Sequence, residues 1–211
     1  MLRAYDPAER LIDGMVHAAG VVASVIAVGL LLSMVVPAGD SRAIVAAAIY
    51  GVGLIAMLWL SAAYNLVNHP TWKEQFRRLD HAAIFLMIAG SYTPFMLVAI
   101  GGGLGLGLLI LVWISAITGM VLKLLHPRRF ERVSVVFYLA LGWAGLPAAG
   151  PLIDALSTST LVLLLVGGFL YSIGVVFHLW ERLPFQNAIW HGFVLAAAVC
   201  HFLAVFNVVA G

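Results

Sequence analysis

Charge is scarce in this sequence: only 9% of its 211 residues are Asp, Glu, Lys or Arg, whereas an ordinary soluble domain carries roughly a quarter. A chain so poor in charge has too little polar surface to face water on all sides. Cysteine is almost absent as well. Cys200 stands alone inside the last apolar run, which excludes an internal disulfide and a cysteine-based metal cluster. The formal net charge of +2 is scattered among connections, so the dense basic face that a nucleic-acid partner needs is missing.

What the sequence has instead is hydrocarbon. Hydrophobic residues make up 64% of the chain, and the mean hydropathy is +1.08. Apolar runs of about 20 residues recur from end to end, the length an α-helix needs to cross a bilayer, without the ten-residue alternation of a membrane barrel. The expected class is therefore an all-α membrane protein, a single seven-transmembrane helix bundle over 1–211. Its spans are expected at roughly 15–36, 44–66, 80–100, 104–125, 133–149, 158–179 and 188–209.

The connections have turn chemistry: PAGDSR, NHPTWKEQFRR, GGGLG, HPRRFER, GPLID and ERLPFQN. The fifth span is the shortest, because Gly145, Pro147 and Pro151 interrupt it. Asp6, Pro7 and Glu9 form a helix start with an N-cap, proline at the first position and an acid in the first turn. Residues 1–14 are thus expected as a juxtamembrane segment leading into the first span. That run is too long for a signal-peptide core and follows charged residues, so it reads as a retained anchor. The GGGLGLG run lacks a following lysine and a strand-to-helix setting, so it is a tight turn and no phosphate loop.

Ten of the eleven basic residues fall on one side of such a bundle: Arg3, Arg10, Lys73, Arg77, Arg78, Lys123, Arg128, Arg129, Arg132 and Arg182, against Arg42. The positive-inside rule then puts the N-terminus in the cytoplasm and the C-terminus outside, for a multi-pass protein. Trp72 and Trp180 on the cytoplasmic side suit an interfacial belt.

This orientation collects polar residues into one layer at the cytoplasmic mouth. Asp80 opens the third span at the head of an apolar stretch, and a carboxylate at the edge of hydrocarbon must face the bundle interior and find a partner. Ser61 and Asn65 close the second span, and Asn187 and His191 open the seventh. Each pair is four residues apart and lies on one helix face. His17 and His178 lie at a similar depth. Such a layer can build a metal or proton site, or it can hydrogen-bond helices together. His201, deeper in the bundle, and His126, in a basic connection, suit structural or solvated roles.

At these residues the chain resembles the bacterial hemolysin III family, within the progestin and adipoQ receptor group that includes the adiponectin receptors. The stretches that carry the resemblance are SAAYN at 61–65, LDHAAIFLMIAGSYTPF at 79–95 and RLPFQNAIWHGFVLAAAVCHFLAV at 182–205. The resemblance implies a cytoplasm-facing zinc site in which three histidines and a neighbouring acid hold metal and water. The relatives read S-x-x-x-H, then an Asp, then H-x-x-x-H. Ser61, Asp80 and His191 match, whereas Asn65 and Asn187 stand where the family places imidazoles.

A carboxamide is a poor zinc donor, so metal binding is expected to be weak or absent unless His17, His69, His81 or His178 fills a vacancy. Asp80 is a ligand or proton carrier in this reading, and Ser61 is its catalytic companion. Three functions follow from the resemblance. A lipid sensor or membrane-homeostasis protein holding an acyl chain is favoured. A zinc-dependent amide hydrolase of ceramide-like lipids is the enzymatic alternative, and a pore or transport protein is the third, opposed by the apolar outer halves of the spans. Membrane lipid is the expected partner, and no protein partner is legible.

Overall fold

The computed structural model describes residues 6–126 and 131–211. Arg3, Arg128, Arg129 and the side chain of Arg132, all used in the orientation reading, lie outside them. The helices are α1 (Pro7–Ala38), α2 (Ser41–Leu66), α3 (Pro70–Pro94), α4 (Gly102–Leu125), α5 (Glu131–Gly142), α6 (Ala149–Ala155), α7 (Thr158–Leu179) and α8 (Gln186–Val209). Among the described residues, seven helical segments are long and apolar enough to cross a membrane. One of them, Val133–Ala155, is built from α5, a short 3-10 turn and α6. The protein is an all-α, multi-pass membrane protein.

Local chemistry sets most helix ends. Asp6 caps α1, its side chain accepting from the Ala8 amide, while Glu9 reaches back to the Asp6 amide and Pro7 occupies the first turn. The juxtamembrane turn and the first span are consequently one continuous helix. The connection to α3 is shorter than expected, because Pro70 restarts the helix directly after His69. Gly101 and Gly102, at φ 61° and 59°, make the tight turn into α4, a conformation that a side chain would oppose.

The fifth span departs from the expected 133–149. GPLID is no turn: Gly150 to Asp154 belong to α6, with Pro151 in its first turn, where a missing amide hydrogen costs nothing. The break comes earlier, after Gly142, where Tyr92 of α3 repairs it. Its hydroxyl donates to the Gly142 carbonyl at 2.8 Å and accepts from the Gly145 amide at 2.8 Å. Backbone groups freed within a membrane must find such partners.

Helix packing relies on small residues, as it must where lipid is as apolar as the core. Gly53 of α2 lies against the Leu86 and Met87 backbone of α3, and Gly90 of α3 returns the contact on the Ile49 carbonyl and Tyr50. Gly119 of α4 receives the Phe85 ring. Helices α1, α2 and α3 pack in sequence, α8 closes on α1 and α7, and α5 touches α3, α4 and α7. Val22, Val25, Ile26, Leu111, Ile114 and Val166 are among the apolar residues left outward, where lipid would meet them. Trp72 and Trp180 are exposed, which suits the interfacial belt.

Candidate functional site

A cavity of about 1540 Å³ lies among the helices and opens outward beside Val136, Leu146, Ile153 and Val162, which are exposed. Its walls come from all eight helices, α4 contributing Lys123 and α6 contributing Ala149, Leu152 and Ile153. Polar residues gather at the end where α2 stops and α3 and α8 start: Ser61, Asn65, Asp80, His81, Asn187 and His191 all line it, together with Lys73 and Arg77. Asp80 therefore points into the bundle, where Ser61 of α2 lines the same cavity. Toward the far end the walls carry Met96, Leu152, Leu161, Leu164 and Leu165, with Ser91, Tyr92, Thr158, Tyr171, Ser172 and His201 among the polar exceptions.

The residues of the polar layer are tied by hydrogen bonds within and between helices. Asn65 donates from Nδ2 to the Ser61 carbonyl one turn earlier at 2.9 Å. That bond consumes part of the amide on its own helix. Tyr138 of α5 donates to the His81 carbonyl at 3.0 Å, and Gln186 donates to the His178 carbonyl at 2.9 Å. The His178 ring packs on Trp190 with centroids 5.0 Å apart.

The tightest cluster involves a residue absent from the sequence reading. Asp13 of α1 sits between two imidazoles: its Oδ1 is 2.6 Å from His191 Nδ1, and its Oδ2 is 3.6 Å from His17 Nε2. The two rings are tilted by 53° to each other, with centroids 4.3 Å apart. Asp13 and His17 are buried, and His191 is partly so. One donor atom from each of the three falls within 4.8 Å of the others, so Asp13, His17 and His191 form a possible metal-binding triad.

Helical periodicity brings them together. Glu9, Asp13 and His17 recur every four residues and begin the buried stripe of α1 that continues through Gly20, Ser24, Val28, Leu31 and Val35. Glu9 anchors the same face. Its Oε1 accepts from the Phe185 amide at 2.6 Å, holding the turn that launches α8, where Phe185 takes the left-handed φ of 59°. The sequence signal for Asp13 is thus the Asp-x-x-x-His spacing, which the expectation of a juxtamembrane segment over 1–14 obscures.

Of the four histidines considered as replacement ligands, His17 joins His191. His81 and His178 line the cavity outside the triad, and His69 lies exposed at the start of α3 without reaching it. Asn65 and Asn187 line the same polar end as His191.

The architecture agrees with what sequence comparison finds. The family profile described as Haemolysin-III related matches residues 7–202. The chain belongs to the haemolysin-III-related family. It is 39% identical to Hemolysin-3 of Bacillus cereus over 93% of this chain and 90% of that protein. It is 36% identical to a Hemolysin-3 homolog of Bacillus subtilis (strain 168) over 93% and 92%. The human monocyte to macrophage differentiation factor is 32% identical over 75% of this chain and 68% of its own length.

The three-imidazole zinc set implied by the haemolysin III resemblance does not fit residues 65, 187 and 191 here. Two of the three are carboxamides, and Asn65 is already bound to its own helix.

Proposed function

We propose that this haemolysin-III-related protein senses membrane lipid, holding the acyl chain of an amphiphile in the cavity with its polar head at the layer of Ser61, Asn65, Asp80 and Asn187. The observation that carries this reading is the polarity gradient of the cavity, which runs from Asp80, Lys73 and Arg77 at one end to Leu152, Leu161 and Leu165 at the other. Its volume of about 1540 Å³ exceeds the roughly 300–1,000 Å³ of an ordinary small-molecule pocket, leaving room for a long chain. Charged and amide side chains at one end fix the head group; the leucines accept any hydrocarbon of suitable length. With the basic end in the cytoplasm, the head group enters from the cytoplasmic leaflet of a bacterial inner membrane.

A second reading, hydrolysis of an amide in the bound lipid, draws on the carboxylate–imidazole pair of Asp13 and His191 and on Asp80 and Ser61, which line the polar end of the cavity. Such pairs suit proton transfer. The third reading, a conducting pore as the names of the Bacillus relatives suggest, calls for polar lining along the path, and the leucine-rich far end opposes it.

Photo-crosslinking with a diazirine fatty acid and a diazirine ceramide tests the assignment. Sensing predicts adducts on Leu161, Leu164 or Val175 with the lipid intact, whereas hydrolysis predicts release of the free fatty acid from the ceramide. Adducts confined to the outer faces of α1 and α4 contradict both.

A further inference from the structure

We propose that Asp13, His17 and His191 bind a zinc ion at the α1–α8 interface, a site displaced from the family positions 65 and 187. The donor chemistry is the first ground: two imidazole nitrogens and one carboxylate oxygen are a set zinc accepts, and they leave a fourth tetrahedral position open. Two imidazoles also favour zinc over magnesium or calcium, which prefer oxygen alone.

Geometry is the second ground. Zinc at 2.0–2.2 Å from each ligand holds ligand atoms about 3.3 Å apart across a tetrahedral edge. Asp13 Oδ2 and His17 Nε2 already stand 3.6 Å apart. His191 Nδ1 meets the other carboxylate oxygen, Oδ1, at 2.6 Å, and one donor atom from each of the three residues lies within 4.8 Å of the others, so small side-chain adjustments bring all three to a single ion.

An unsatisfied atom is the third ground. His17 is only 5% exposed, and its Nε2 has no hydrogen-bond partner although it is aimed at the Asp13 carboxylate. A buried polar atom without a partner is costly, and a metal ion satisfies it. In this account the carboxylate at 13 and the imidazole at 17 supply what the amides at 65 and 187 cannot. The assignment does not depend on what fills the cavity.

The test uses the full-length protein in detergent, stripped with a chelator and titrated with zinc alone. Bound zinc is read by elemental analysis and affinity by calorimetry, with the rise in thermal midpoint as a separate readout of binding to the folded state. The expected result is one zinc per chain, with affinity falling by about 100-fold or more in Asp13→Asn and in His17→Gln, at or above the cost of losing a ligand-orienting partner. His69→Gln is expected to leave binding unchanged. Asp13→Asn keeps the side-chain shape and a hydrogen bond to His191, so it reports loss of the anionic donor even where His17→Gln does not fold. Absence of zinc from the unmodified chain overturns the proposal, as does wild-type affinity in Asp13→Asn. Loss of zinc in Asp80→Asn with retention in His17→Gln would place the metal at the family position and overturn it equally.

Discussion

Asp13 and His191 lie 178 residues apart in the chain, yet their side chains meet at 2.6 Å and join α1 to α8. Removing the carboxylate leaves the imidazole Nδ1 without its partner in a largely buried place. Asp13→Ala is expected to cost roughly 1–3 kcal/mol, with the larger part due to the abandoned polar atom. Unfolding free energies in detergent for Asp13→Ala, His191→Ala and the double variant give the coupling, expected at about 0.5–3 kcal/mol. Strictly additive effects would show that the two side chains do not support each other.

Close helix approach gives a second prediction. A Cβ added at Gly119 would lie 2.4 Å from the Phe85 ring, which is itself 1% exposed and has little room to retreat. Gly119→Ala is expected to destabilise by about 1–3 kcal/mol, the usual cost of overpacking. Gly107→Ala on the same helix meets nothing within 4 Å and is expected to stabilise slightly, by roughly 0.5–1 kcal/mol from helix propensity. Thermal midpoints of the two variants, compared side by side, check the contrast.

Tyr92 bridges the broken fifth span. Tyr92→Phe removes the hydroxyl that serves both the Gly142 carbonyl and the Gly145 amide, at an expected cost of roughly 1–3 kcal/mol. Hydrogen exchange should rise at Gly145 while the amides of α2 stay protected. Unchanged exchange at Gly145 would mean that the backbone finds other partners there.

Orientation is tested with one cysteine at a time. After Cys200→Ala, a cysteine at Gly211 is expected to react with an impermeant reagent from outside intact cells, and one at His126 only after lysis. The expectation rests on the basic residues of the connections. The reverse pattern would invert the bundle.

The seven spans were legible because apolar length is a direct physical requirement of the bilayer, and the inward turn of Asp80 followed from the cost of showing a carboxylate to lipid. Two features were harder to read. The GPLID stretch carries the residues of a turn, yet Pro151 fits the first turn of a helix as well, and only Tyr92, some fifty residues away, decides where the break falls. Asp13 was hidden by its position: charged residues near a terminus suggest a solvated segment. The capping by Asp6 and Glu9 instead carries α1 unbroken into the bundle, with Asp13 on its buried stripe. His17 was visible as a candidate from depth alone, whereas its partner needed the packing of α1 on α8.

The central claim is that the cavity holds an amphiphile with its chain in the leucine-lined half. Native mass spectrometry of the purified protein tests this most directly, comparing the unmodified chain with Leu164→Trp and Ser91→Trp, which place bulk on two walls of the cavity. The account predicts a retained lipid-sized adduct on the unmodified chain and its loss from both variants, with each variant still folded by size-exclusion chromatography. An unmodified chain that carries no lipid, or variants that carry it equally, would contradict it.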